Sequence, residues 1–290
     1  MCIALPLEKQ DFQNGSIIVF NGKQRVGKTS LMTAMICDNY KRYNKLRFKN
    51  ACVELSQIGR AKGVNLTCDS VMYFSNYDIL LDVKRGIHTH AIDKWDLAVP
   101  NDKVIQYYPP YSVIAFMELD KHFNNRAWNM RGADDESKSL VSYVSKFVYM
   151  FFATLGQHHL TLLIDYQIFE KLDSALRSLV TDCIYVLSKR DVKRGLFRRE
   201  KNIYSFVWTY PQNISFFEKV SALGISPRAG DVYKRCRYRF KGNIHTRYDS
   251  FSCNPLYYDG LNQYEYKRHP CIDWRDNESL KEYCKVIFDS

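Results

Sequence analysis

A glycine-rich segment near residue 22 constrains the fold more than any other feature of this sequence. Residues Gly22-Lys23-Gln24-Arg25-Val26-Gly27-Lys28-Thr29 match the pattern G-x-x-x-x-G-K-[ST] at every fixed position. They follow a β-branched run, residues 16–20, and precede a helical pattern from Lys28 towards Tyr40. A strand that turns through such a loop into a helix is the context that this motif requires. The segment therefore predicts a phosphate-binding loop, or P-loop.

The spacing of this loop suits the phosphates of a nucleoside triphosphate. Its two glycines let the backbone wrap so that successive N–H groups face the phosphates, and the following helix adds its positive pole. Lys28 is predicted to reach the β- and γ-phosphates, and Thr29 to bind Mg²⁺. We therefore expect the segment from Gly22 to Ser30 to bind ATP with Mg²⁺.

Apolar strand patterns alternate with helical patterns through residue 188. After the first strand, strands are predicted at 71–74, 113–117, 160–164 and 183–187, and helices around 140–155 and 168–180. This alternation predicts an α/β protein, a P-loop NTPase whose parallel sheet is flanked by helices on both faces. Residues 77–111 fit the alternation poorly and are interpreted as an insertion.

Acidic residues follow the predicted strand at 113–117. The usual signature at this place is four apolar residues and then Asp-Glu, but Met117 occupies the Asp position and Glu118 the Glu position. Glu118 is predicted to orient or deprotonate the attacking water. Asp120 lies two residues further, so it is predicted to face the same side and hold the metal's water shell. The alternative is a strand that turns polar as it reaches solvent.

A polar residue also ends the next predicted strand. Residues 160–164 lead into Asp165-Tyr166-Gln167. Gln167 is predicted to sense the γ-phosphate from the tip of the strand beside the acidic one. A surface glutamine without such a role is the alternative.

The positive charge of the chain is concentrated in one segment. The formal net charge is +11, and residues 189–241 contain fourteen Lys or Arg against four Asp or Glu. Such a surplus favours a polyanionic partner. We predict an ATPase core at 1–188 and a basic, β-rich C-terminal appendage at 189–290.

Two parts of this appendage suit DNA. The stretch 189–201 has seven basic residues in thirteen between two strand-like runs, which predicts a β-hairpin with a cationic tip. In the stretch 233–241, three arginines alternate and so share one face of a strand. The predicted DNA contacts are Lys193, Arg194, Arg198, Arg199, Arg235, Arg237 and Arg239. A solvated basic surface, or a charged edge strand that discourages aggregation, is the alternative.

Several of these elements together resemble the Zot-like branch of the FtsK/HerA ATPases, which includes the morphogenesis proteins of filamentous phages. Besides the P-loop, the resemblance lies in the strand that ends at 74–76, in Glu118 with its aromatic follow-on, and in the two segments 156–158 and 163–177. It spans about residues 14–210. The chain departs from the family's pattern at Met117, in place of Asp, and at Gln157, in place of Arg.

This resemblance implies an ATP-hydrolysing motor that packages or exports DNA during phage-type virion assembly. It also implies a homo-oligomeric ring, with phage coat or assembly proteins as partners. One subunit would supply an arginine to its neighbour's P-loop, and the candidates are Arg177, Arg126 and Arg131. The family's filamentous-phage members carry a membrane segment after the ATPase domain, whereas no run here reaches the ~20 apolar residues that span a bilayer.

Other functions are open on the sequence alone. A nucleotide-gated protein that binds DNA or a partner without motor activity is the main alternative. A GTPase is disfavoured because the chain has no Asp-x-x-Gly, and a small-molecule kinase because no acceptor or lid motif is evident.

Nine widely spaced cysteines without a CxxC favour reduced thiols. We expect a cytoplasmic protein, in the host cytoplasm if it is viral, that meets the inner membrane only through partners.

Overall fold

The computed structural model describes residues 11–92, 94–97, 99, 101–119, 148–166, 174–193, 201–211 and 234–248. Its strands are β1 (Ile17–Asn21), β2 (Tyr73–Ser75), β3 (Leu80–Asp82), β4 (Ile87–His88), β5 (His90–Ala91), β6 (Val113–Phe116), β7 (Thr161–Tyr166), β8 (Asp182–Lys193), β9 (Lys201–Pro211) and β10 (Lys234–Lys241). Its α-helices are α1 (Lys28–Lys62), α2 (Val104–Tyr107), α3 (148–154) and α4 (Ser174–Ser178). Short 3-10 turns lie at Lys94–Leu97, Asn101–Lys103 and Gly242–Thr246.

Eight strands form one sheet in the order β10-β9-β8-β1-β7-β6-β2-β5. The six strands from β8 to β5 are parallel, and β9 and β10 extend the sheet in antiparallel fashion. The predicted parallel sheet is thus confirmed, and each predicted strand corresponds to one of its members. Because parallel strands end at the same edge, the carboxyl ends of β1, β7 and β6 lie side by side.

Both faces of this sheet are covered. Along β1, Ile17 and Val19 belong to an apolar cluster that includes α3, whereas Ile18 and Phe20 belong to a second cluster that includes α1. This alternation follows from the period of two along a strand. Every residue of β1 is buried, as expected for a central strand of a sheet flanked on both faces.

The helix after the P-loop is much longer than the sequence pattern suggests. It continues from Lys28 to Lys62, about 50 Å at 1.5 Å per residue, whereas the apolar pattern predicts a helix only towards Tyr40. The seven residues from Leu31 to Cys37 are all buried. Beyond Asn39 the only buried positions are Arg47, Ala51, Leu55 and Gly59, at a spacing of four. The helix ends at Gly63, whose φ of +67° suits a glycine C-cap.

A buried arginine ties the second half of α1 to the rest of the domain. The Arg47 guanidinium is 1% exposed and donates to Asp11 Oδ1 at 2.6 and 2.9 Å. It also donates to the carbonyl oxygens of Tyr111, at 2.7 Å, and Phe12, at 2.8 Å. One side chain therefore joins α1 to the segments that precede β1 and β6.

The predicted insertion at 77–111 is partly a member of the main sheet. β3 and β4 form a separate antiparallel pair, but β5 pairs in parallel with β2 at the edge of the main sheet. The start of this segment also packs on α1, because Cys37 Sγ donates to the Leu80 carbonyl at 3.8 Å.

The two strands of the predicted basic hairpin are present, and its tip, residues 194–200, lies outside the described residues. β8 and β9 are antiparallel, and their register runs from Asp182 opposite Pro211 to Lys193 opposite Lys201. β8 continues through residue 188, with a shift of its register against β9 between Val186 and Ser188, so the predicted domain boundary lies within a strand of the main sheet. The basic strands therefore extend the same sheet that carries the P-loop.

Two further findings concern the described part of the chain. Four of its cysteines, namely Cys37, Cys52, Cys68 and Cys183, are free thiols, as predicted for them. None of the helices in these ranges combines the length and the apolar character needed to cross a bilayer.

We expect Arg47→Ala to lower the free energy of unfolding by about 2–4 kcal/mol, because it breaks a buried ion pair and leaves two carbonyl oxygens without their donor. The loss should stay below the largest values for buried pairs, since Asp11 is 30% exposed. Urea denaturation measures it. Arg42→Ala, at an exposed position of the same helix, should change stability by less than about 0.5 kcal/mol. Equal effects of the two substitutions would contradict a clamping role for Arg47.

Candidate nucleotide-binding site

The P-loop joins the end of β1 to the start of α1. Gly22 has φ +143° and Gly27 has φ +93°, and Arg25 between them has φ +62°. A Cβ on Gly22 would lie 2.5 Å from the carbonyl oxygen of Val186 in β8. The Gly22 N–H donates to Asn21 Oδ1 at 2.6 Å. The loop thus needs glycine at residue 22 for both backbone conformation and space.

The Lys28 ammonium is held inside this loop. Its side chain is 7% exposed, and Nζ donates to the carbonyl oxygens of Gly22 at 3.0 Å and Lys23 at 3.2 Å. Nζ also lies 3.8 Å from Asp165 Oδ1. A cation is therefore fixed at the centre of the loop, where the motif predicts the phosphates.

Thr29 contacts an acid that sequence reasoning did not assign to the site. Thr29 Oγ1 donates to Asp165 Oδ2 at 3.2 Å. Asp165 lies near the end of β7, opposite Phe20 of β1, and is 3% exposed. The available signal in the sequence is a carboxylate directly after three apolar strand residues. This signal indicates a place at the P-loop only when β7 is known to be the neighbour of β1.

The predicted acidic strand is β6, on the far side of β7. Phe116 of β6 pairs with Ile164 of β7, so Glu118 lies at the same edge of the sheet as Asp165. Glu118 is half-buried and has φ +52°, a left-handed conformation that is uncommon for residues other than glycine. Strain of this kind is concentrated at functional sites.

Asn76 fixes the backbone that presents Glu118. Its Nδ2 donates to the Met117 carbonyl at 3.0 Å, and its Oδ1 accepts from the Met117 N–H at 2.7 Å. Asn76 follows β2, the strand whose end is one of the places where the sequence resembles the Zot-like ATPases. The side-chain amide of Asn76 thus makes the two hydrogen bonds that the backbone of a neighbouring strand would make with Met117.

The C-terminal side of the described chain also reaches the P-loop helix. Tyr248 OH lies 2.9 Å from Ser30 Oγ, and His245 Nδ1 lies 3.5 Å from the same atom. Burial raises the pKa of the Tyr248 hydroxyl, so this group stays protonated at neutral pH. Nothing in the sequence pattern indicates these contacts, since the two partners of Ser30 are more than 210 residues away from it.

The remaining predicted residues fall into two groups. Arg177 lies at the other edge of the sheet, because its carbonyl accepts from Val180 N and the adjacent Thr181 N donates to Ile17 O at the start of β1. The structure therefore does not bring Arg177 to the P-loop. Asp120, Gln167, Arg126 and Arg131 lie outside the described residues.

The predicted DNA contacts divide in the same way. Lys193 ends β8, and Arg235, Arg237 and Arg239 lie in β10, whose backbone pairs with β9. Arg194, Arg198 and Arg199 lie outside the described residues. Tyr238 alternates with the β10 arginines and donates to Asp38 of α1 at 2.8 Å. Tyr238 is thus the β10 residue whose side chain is described, and it faces α1.

The residues at the P-loop fit a nucleoside triphosphate with Mg²⁺. A turn too tight for a Cβ at Gly22, a fixed ammonium and the N-terminus of α1 suit an anionic phosphate chain. The Thr29 hydroxyl and the Asp165 carboxylate are oxygen donors of the kind that Mg²⁺ prefers.

Comparisons with known proteins give similarities of structure only. No protein-family model matches the sequence, and no curated protein sequence is detectably similar to it. The crystal structure of the N-terminal domain of zonular occludens toxin from Neisseria meningitidis is similar with a TM-score of 0.41 and 13% identity, over 81% of this chain and 100% of that one. The crystal structure of the flagellar accessory protein FlaH from Methanocaldococcus jannaschii is similar with a TM-score of 0.32 and 13% identity, over 72% and 83% respectively.

The class of the protein follows from its sheet and its loop. A central parallel strand leads through a glycine-rich turn into a helix that begins with Lys28 and Thr29, which is the α/β fold of a P-loop NTPase.

We expect Gly22→Ala to weaken nucleotide binding by about 5- to 100-fold, the equivalent of 1–3 kcal/mol of backbone strain. The new Cβ would force the loop away from Val186. Titration with a fluorescent ATP analogue measures the affinity. Gly63→Ala is the matched control, because it has φ +67° with no atom within 4 Å of a Cβ. It should cost stability alone, and an unchanged affinity of Gly22→Ala would show that the loop does not need this turn.

Proposed function

We propose that the chain hydrolyses ATP and uses the energy to move DNA during phage-type virion assembly. The observation that carries the ATPase part is the contact set at the P-loop, in which Lys28 and Thr29 both meet Asp165 beside the strained Glu118. Basic strands in the same sheet support the DNA part.

Each residue at this edge of the sheet has a role in the proposal. Bound Mg²⁺ would neutralise the charge that develops on the phosphates. Lys28 binds the β- and γ-phosphates and stabilises the same charge, and Thr29 holds the metal. Glu118, presented by the Asn76 clamp, orients the attacking water and accepts its proton. Asp120 and Gln167 stay predictions as a second metal residue and a γ-phosphate sensor.

The proposed motor is an oligomer in which one subunit completes the site of the next. Arg177 supports this arrangement, because its backbone lies at the edge of the sheet away from its own P-loop. In this proposal Arg177 would serve the P-loop of a neighbouring copy rather than its own. A ring of subunits that surrounds DNA, with coat or assembly proteins as partners, completes the proposal.

A second candidate function is a nucleotide-gated binding protein without motor activity. The contact between Ser30 and Tyr248 favours it, because it joins the first turn of α1 to the segment that follows the basic strand β10. Binding at one site would then change the other without turnover. ATP turnover that rises with DNA would favour the motor, and tight ATP binding without turnover would favour the gate.

The ATPase proposal predicts that Lys28→Ala lowers Mg²⁺-dependent ATP turnover by about a hundredfold or more while the protein stays folded. Lys28 serves the phosphates and belongs to neither apolar cluster of the core. Phosphate release measures turnover, and circular dichroism with thermal unfolding checks the fold. Lys45→Ala, at an exposed position of α1, should keep wild-type turnover. Activity that survives in folded Lys28→Ala would assign the hydrolysis to something other than this P-loop.

The DNA proposal predicts a change in the salt dependence of binding. Replacing Arg194, Arg198 and Arg199 with Ala should reduce the slope of log K against log[salt] by about 0.7 to 0.9 per lost phosphate contact, the lower value applying to single strands. Fluorescence anisotropy with single- and double-stranded oligonucleotides measures it. A triple variant of exposed α1 lysines, Lys41, Lys45 and Lys49, removes the same charge elsewhere and should leave the slope unchanged. Equal slopes in the hairpin variant and the wild type would exclude the hairpin as the DNA contact. Arg235, Arg237 and Arg239 would then be the next candidates.

A further inference from the structure

The position that usually carries the metal-associated aspartate holds an apolar side chain here. Met117 is 2% exposed and belongs to the apolar cluster between the sheet and α1. Its backbone N–H and carbonyl are both bonded to Asn76, so the residue is fixed in place. A thioether is a poor ligand for Mg²⁺ and its water shell, which require oxygen.

An oxygen donor lies instead on the neighbouring strand. β7 separates β6 from β1, and Asp165 of β7 lies opposite Phe20, two residues before the P-loop begins. One carboxylate oxygen accepts from Thr29 Oγ1 at 3.2 Å, and the other lies 3.8 Å from Lys28 Nζ. Asp165 therefore contacts both P-loop side chains that the motif assigns to the phosphates and the metal.

We propose that Asp165 supplies the carboxylate that holds the metal's water shell in the nucleotide complex, in the role that Met117 cannot fill. The inference rests on the proposed ATP binding. Thr29 would be a direct oxygen ligand, and Asp165 would accept hydrogen bonds from Thr29 and from metal-bound water. Mg²⁺ suits this arrangement because it usually retains several waters and binds few protein carboxylates.

A purely structural role for Asp165 makes a different prediction. In that case the carboxylate only balances the Lys28 charge inside the loop, and its removal would affect folding or the position of Lys28. Metal affinity in the presence of nucleotide would then stay the same. The affinity for the metal, rather than ATP turnover, therefore separates the two roles.

The test uses Mn²⁺ as the probe and a non-hydrolysable ATP analogue, with free Mn²⁺ followed by electron paramagnetic resonance. Asp165→Asn keeps the shape of the side chain and should weaken Mn²⁺ binding in the ternary complex by about 10- to 100-fold. Affinity for the analogue without metal should change far less. Asp165→Ser, which is smaller and also uncharged, should show the same loss and replaces the first variant if that one fails to fold.

Asp182→Asn is the matched control. This half-buried carboxylate accepts a hydrogen bond from Thr181 Oγ1. Asp182 lies opposite Ile18, near the start of β1 rather than its end. Its Mn²⁺ affinity should equal that of the wild type. Asp120→Asn, at the residue that the sequence pattern favours, forms the comparison arm, and a smaller loss than in Asp165→Asn supports the proposal.

Two results would overturn the proposal. Folded Asp165 variants that bind the analogue and Mn²⁺ as the wild type does would reduce Asp165 to a structural residue. A loss confined to Asp120→Asn would return the role to β6. If the wild-type protein binds no nucleotide, the proposed function is refuted, and this inference falls with it. Measurements on the wild type alone reveal that result, before any variant is tested.

Discussion

The structure depends on the burial of the first part of α1 on all sides. Seven successive residues, Leu31 to Cys37, are buried, and a helix that is apolar all round has to be covered on more than one side. The sheet covers one side, and segments around β3, β10 and the turn Gly242–Thr246 contact the helix as well. This requirement brings distant parts of the chain to the P-loop. It explains why Ser30 meets Tyr248 and why Asp38 meets Tyr238.

The edge of the sheet at the P-loop combines three strands with different tasks. β1 delivers the loop, β7 delivers Asp165 to Lys28 and Thr29, and β6 delivers Glu118 in a strained conformation. The strand between β1 and β6 therefore contacts both P-loop side chains. Met117 is buried in the core, so the edge carries one acidic residue after β6, Glu118, and one in β7, Asp165. The strands β9 and β10 continue the same sheet beyond β8.

Local patterns in the sequence were sufficient for most of the parallel sheet. The β-branched runs and the glycine loop are short-range signals, so they predicted β1, β6, β7 and the phosphate-binding turn. The second half of α1 was not predicted, because its buried positions occur only at every fourth residue and include Arg47 and Gly59. A polar residue clamped by Asp11 and two carbonyl oxygens gives no apolar signal at all. The continuation of the sheet through residue 188 was likewise hidden by the change in charge.

The sequence by itself determined the class of the site: the motif at residues 22–29 needs glycine, lysine and threonine at fixed spacing, and those requirements are met within eight residues. The tertiary structure decided which acid meets that loop. Strand order depends on how each connection crosses the sheet, which no local pattern records. Only the placement of β7 beside β1 made Asp165 the partner of Thr29, left Met117 in the core, and set Arg177 at the opposite edge.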